Sequence, residues 1–131
     1  MDLSTDRVVI SDDGGLFTMD LGGWTARAGF PNTAISGNVL VANGAGTATV
    51  RCRVQLTAPW TSNSRLLRII LLKNNIEVNS ADFTVNTSSL TLGDISLALV
   101  SGDRIGVRVA TTDERGVTVQ SGANTYLYYD A

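Results

Sequence analysis

The side chains that could do chemistry in this chain are few and scattered. Acidic pairs occur twice, in Asp12-Asp13-Gly14-Gly15 and in Asp113-Glu114, with Gly116 close behind; there is one thiol, Cys52, and there are two indoles, Trp24 and Trp60. Hard cations take several carboxylate and carbonyl oxygens, so the first acidic pair could open a cation loop, but the spacing of a full Ca²⁺ loop is absent and an acidic turn accounts for it. Two carboxylates a set distance apart could cleave a glycosidic bond, whereas neighbours beside a glycine make a solvated hairpin turn. Histidine is absent, which removes the commonest general base, proton shuttle and metal ligand and excludes a histidine-dependent triad or zinc site. No catalytic residue, metal ligand or cofactor is assigned, and the chain is expected not to be an enzyme.

Trp60 follows Pro59 in the loop-like stretch Thr57-Ala58-Pro59-Trp60-Thr61-Ser62-Asn63, where an exposed indole could stack on a sugar ring or pack at a subunit contact. Six arginines, Arg51, Arg53, Arg65, Arg68, Arg104 and Arg108, lie on strand-like segments, where such residues can pair with acids across an interface. By parity Arg68 points with Leu66, Ile70 and Leu72, so it is either buried against a carboxylate or placed at a sheet rim. Cys52 alternates with Val50, Val54 and Leu56 and is expected to be an inert core thiol.

These side chains must be positioned by strands. Valine and threonine are abundant, with 13 glycines, 2 prolines and a single lysine, Lys73, a composition that favours β structure over helix. Candidate strands are Leu16 to Asp20, Thr33 to Ala42, Thr47 to Thr57, Arg65 to Lys73, Ile76 to Val78, Asp82 to Val85, Ser89 to Val100, Arg104 to Ala110, Gly116 to Gln120 and Thr125 to Tyr129. Between Thr47 and Thr57 the apolar face alternates with Arg51, Arg53 and Gln55. Asn74-Asn75 makes a hairpin turn, because asparagine tolerates positive φ. The run RLLRIILLK, residues 65 to 73, lacks polar alternation and asks for cover on both faces. A two-layer sandwich covers only one, so the second face needs a partner or a wrapped segment, and Leu67, Ile69 and Leu71, with Arg68, are the candidates for a subunit contact. Tyr126 and Tyr128 share one side of the last strand and Leu127 and Tyr129 the other, so one pair serves the core and the other the subunit contact.

The chain's 131 residues amount to one domain, able to bury roughly two thirds of its unfolded surface. A lone cysteine rules out a disulfide scaffold and fits assembly in a reducing cytoplasm. The net charge of -2, with cations spread along the chain, offers no footprint for nucleic acid. Neither a signal peptide nor a membrane span is expected. Residues 1–15 read as an extended N-terminal arm and residues 16–131 as the domain.

From Trp24 onward the order of features resembles the complement/tumour-necrosis-factor-like jelly-roll modules of tailed-phage virions, particularly those of actinobacterial phages. The features are Gly23-Trp24, then Asn32-Thr33-Ala34-Ile35-Ser36-Gly37-Asn38 before a strand, the Gly44 to Thr49 turn into a long strand, and the Arg68 to Val78 hairpin. Val100-Ser101-Gly102-Asp103-Arg104-Ile105 and the closing aromatic strand Tyr126-Leu127-Tyr128-Tyr129 complete the series. Asn75 stands where such modules usually carry glycine. The resemblance implies an all-β jelly roll of about ten strands in a threefold homotrimer, with the last strand near the axis. It further implies a virion-surface protein assembled in the bacterial cytoplasm and joined to other virion proteins by its arm. The expected role is that of a minor tail or tail-tip protein contacting host surface glycans through Trp60. The alternatives are a capsid decoration protein at threefold sites and a stand-alone carbohydrate-binding module.

Overall fold

The computed structural model describes residues 1–27, 29 and 34–130. Asn32 and Thr33, which open one motif of the resemblance and the candidate strand ending at Ala42, lie outside the described residues. The fold is all-β, and the described residues include no helix. In chain order the strands are β1 (Asp2–Leu3), β2 (Arg7–Val9), β3 (Phe17–Asp20), β4 (Trp24–Thr25), β5 (Ile35–Ser36), β6 (Val39–Val41) and β7 (Gly46–Trp60). They continue as β8 (Leu67–Lys73), β9 (Ile76–Asp82), β10 (Thr87–Thr91), β11 (Ile95–Leu99), β12 (Arg104–Thr111), β13 (Val117–Val119) and β14 (Gly122–Asp130).

Two antiparallel sheets face each other across one core. The larger has the order β2-β13-β7-β14-β1-β4, and β10 and β11 also pair with β7. The smaller has the order β5-β6-β12-β8-β9, with β3 also on β12. Strand β7 is the spine of the larger sheet because its 15 residues outrun any single partner. One edge takes β14 and then β13; the other takes β11 and then β10. Its inner positions Val50, Cys52, Val54 and Leu56 are buried, as period-2 alternation requires. Residues Ser89 to Val100 form two strands rather than one, divided by Leu92-Gly93-Asp94, and the segment Asp82 to Val85 only ends β9.

Asn74 and Asn75, at φ 52° and 66°, form the two-residue turn between β8 and β9 whose twist matches the strands it joins. Leu67, Ile69 and Leu71 point inward and are each 1% exposed within a single chain, so they are core residues and not the subunit contact expected of them. The outer face of β8 is flanked by side chains of the neighbouring strands. Arg68 lies opposite Asp82 on β9 and Ala110 on β12, and Leu72 lies opposite Gly106. Within the single chain the outer positions of RLLRIILLK are thus covered at Leu72 and half-buried at Arg68 and Ile70.

Residues 1–15 depart from the expected arm. Strand β1 pairs with both β14 and β4, and β2 pairs with β13. Met1, Leu3 and Val9 are fully buried, and the Leu127 backbone N–H donates to the Met1 carbonyl (2.9 Å). Ser11 is buried too, its N–H donating to the Asp113 carbonyl (2.9 Å). The segment contributes two short strands and three core side chains, so a domain starting at residue 16 would lack part of its own core.

Candidate functional site

The outer face of the larger sheet gathers the densest group of aromatic and charged side chains. Antiparallel register sets Tyr126 opposite Arg53, Tyr128 opposite Arg51 and Asp2 opposite Tyr126. Because alternate residues share a face, Tyr126 and Tyr128 stand side by side while Leu127 is buried and Tyr129 packs against the core. The two phenol rings are 5.3 Å apart between centroids and tilted by 47°. The Arg27 guanidinium lies over both, 4.4 Å from the Tyr126 centroid and 5.2 Å from that of Tyr128, which places its charge on the electron-rich ring faces. Arg27 Nη1 is fixed from below by Asp2 Oδ1 (2.6 Å) and the Ala123 carbonyl (3.1 Å).

Arg51 closes the other end of the row. It lies 5.9 Å from the Tyr128 centroid and pairs with Asp94 (3.4 Å) and with Asp130. A hydrogen bond with Tyr128, followed by those carboxylates, outweighs desolvation and holds its guanidinium above the ordinary value. Arg53 differs, since its guanidinium donates to the amide oxygens of Asn124 (3.1 Å) and Gln55 (3.3 Å). Two arginines, Arg27 and Arg51, thus meet three carboxylates on this face, and the rings between them are half-buried. Such a row is rigid and costs little entropy to present. Its mixture of tyrosine and arginine is the composition that protein interfaces favour at their centres.

The other candidate residues are dispersed. Trp60, the last residue of β7, is 4% exposed and forms part of the wall of a cleft of about 300 Å³ between the end of that strand and the β13 hairpin. It is therefore a packed core indole, not the stacking platform expected for a glycan. Trp24 is buried as well, with Nε1 donating to the Leu21 carbonyl (2.8 Å). Arg68 pairs with a carboxylate without being buried, gripping both oxygens of Asp82 on the neighbouring strand (2.7 and 3.3 Å). Arg108 pairs with Asp20 (2.7 Å).

Cys52 is buried, and burial pushes its thiol up to about 12, far from a reactive thiolate. Asp13 Oδ1 accepts the Gly15 N–H (2.9 Å), which makes Asp12-Asp13-Gly14-Gly15 an ordinary turn. Asp113 does the same for the Arg115 N–H (2.8 Å). Among the described residues no three histidines, cysteines or acids stand close enough to hold a metal ion.

Sequence reasoning found Tyr126 and Tyr128 but missed Arg27 and Asp2. Arg27 reaches the array from a segment about a hundred residues away, with no periodic pattern of its own. A scan against family models found no match, and a search of curated proteins found none either.

Proposed function

We propose that this chain is a non-enzymatic structural protein of a tailed-phage virion, a jelly-roll module that assembles as a homotrimer on the particle surface, as a minor tail or tail-tip protein. Two things support this reading. One is the order of motifs from Trp24 to Tyr129, which fits an antiparallel sandwich whose closing strand, β14, is aromatic. The other, which carries it, is the Tyr126, Tyr128 and Arg27 row on the outer face of β14, a preorganised patch of interface composition. β14 has a strand partner on each edge, β7 along Tyr126 to Asp130 and the short β1 at Gly122 and Tyr126, which favours assembly through its face.

Attachment to the particle then falls to the surface of the sandwich, since residues 1–15 are built into its sheets. Mass spectrometry and immunogold labelling of gradient-purified particles of the phage encoding this chain test the reading together. The chain should be recovered with the virion and label the tail. Its absence from particles overturns the proposal, and labelling confined to the head replaces the tail role with capsid decoration.

A further inference from the structure

A depression of about 310 Å³ lies on the opposite side of the molecule from the tyrosine row, on the outer face of the smaller sheet, and its origin is topological. Strands β6 and β3 share one edge of β12, β6 pairing with Arg104 to Gly106 and β3 with Arg108 to Thr111. The ladder is interrupted between Asp20 and Val39, the positions where the two strands meet β12. Gly106 deepens the gap, because it sits between Val39 and Leu72 in one cross-strand row and brings no side chain. A Cβ there would come within 3.2 Å of Val39 Cγ1. The floor is thus aliphatic and shallow.

The surroundings are polar and of mixed sign. Asn38 and Asn75 carry exposed primary amides, and Asn75 is held in place by its turn at φ 66°. The guanidinium of Arg104 has no ion-pair partner among the described residues. Asp20 spends Oδ1 on Arg108 and has no hydrogen bond at Oδ2 among the described residues. Amides, one cation and one carboxylate around an aliphatic floor match a ring that offers hydroxyls as both donors and acceptors and C–H groups on one face. Asp20 is already paired with Arg108 and Arg104 is opposite to it in sign, so the depression has no cluster of like charges of the kind that selects a highly charged ligand. The volume is at the lower end of the roughly 300–1,000 Å³ of small-molecule pockets.

We infer that this depression is a subsite for a neutral saccharide, one or two pyranose rings of a glycan, bound over Leu72 and Gly106 by Asn38, Asn75, Arg104 and Asp20. It would give the proposed virion role its glycan contact in place of Trp60, yet it belongs to a single chain and does not depend on assembly. With no aromatic ring in the floor, each site binds weakly, in the millimolar range, and repeated copies would raise the avidity.

The test is an amide chemical-shift titration of the purified chain with the methyl glycosides of glucose, galactose, mannose, rhamnose and N-acetylglucosamine. At least one is expected to give saturable shifts centred on Asn75, Arg104 and Gly106. Asn75→Gly keeps a turn that accepts positive φ while removing the amide, and should weaken that sugar by about tenfold, the worth of roughly one hydrogen bond. Gly106→Val fills the depression and should abolish binding, with thermal melting to establish that it folds. Saturable shifts in none of the five titrations, or shifts centred on the Trp60 cleft, overturn the inference. So does an unchanged affinity in Asn75→Gly. Since the readout uses free protein, its failure is distinguishable from failure of the virion role.

Discussion

Asp103 shows how much of the turn chemistry of this chain rests on single carboxylates. Its Oδ2 accepts the Val100 N–H (2.9 Å) and lies 3.7 Å from Lys73 Nζ, and its Oδ1 accepts from Asn74 Nδ2 (3.0 Å). The Val100 hydrogen bond first, then Asn74 and Lys73, hold its carboxyl below the ordinary 3.8. Asp6 is lowered in the same way by the Ser121 N–H (2.7 Å). A group whose folded value is depressed stabilises fully above its unfolded value and loses that contribution as pH falls through the folded one. Urea midpoints measured between neutral and strongly acidic pH should therefore fall on the acid side of 3.8, and Asp103→Asn should flatten part of that fall. A wild-type profile in the variant would remove Asp103 from the account. Cys52 makes an opposite case, a reactive atom made inert by burial. With its thiol raised to about 12, it should resist iodoacetamide in native buffer and react only on unfolding; prompt native labelling would contradict its place in the core.

At the scale of elements, the first residues carry more of the fold than their length suggests. Removing residues 1–15 takes Met1, Leu3 and Val9 from the core and two strands from the larger sheet, the end strand β2 and β1, which joins β4 to β14. Each buried aliphatic lost is worth about 2–5 kcal/mol, so together they are comparable in size with the usual stability margin of about 5–15 kcal/mol. The truncated chain should lack a cooperative thermal transition by circular dichroism, and a wild-type melt would show residues 1–15 to be an appendage. Sequence pattern could not reveal this segment, because strands of two and three residues are too short for alternation to register. It did reveal β7, where Val50, Cys52, Val54 and Leu56 alternate with polar neighbours for several turns of the pleat, and the Asn74-Asn75 turn. It misjudged RLLRIILLK, since an apolar run reports that a strand is covered but not by what. Ile70 and Leu72 on the outer face are half-buried and buried beside residues of their own sheet. Trp60 misled for a related reason: a Pro-Trp step in polar company looked like a loop but closes β7, with the Asn86 N–H bonded to its carbonyl (2.7 Å).

The whole molecule presents two dissimilar outer faces on one core. The larger sheet shows a rigid row of rings and guanidinium groups, suited to a flat protein partner, and the smaller sheet a shallow polar depression suited to a small ring. On the proposed reading, one face assembles while the other stays open to ligand. Arg27, Tyr126 and Tyr128 came together only through the fold, whereas the two tyrosines alone were legible in the alternation of the last strand. The central claim is that the tyrosine face joins three copies. The measurement that tests it most directly is the mass of the purified chain by light scattering across a range of concentrations. A stable mass near three times 13.8 kDa, lost when Tyr126 and Tyr128 are both replaced by alanine in a chain that still melts cooperatively, is the predicted result. A mass of 13.8 kDa at every concentration, or a trimer indifferent to both tyrosines, would contradict it.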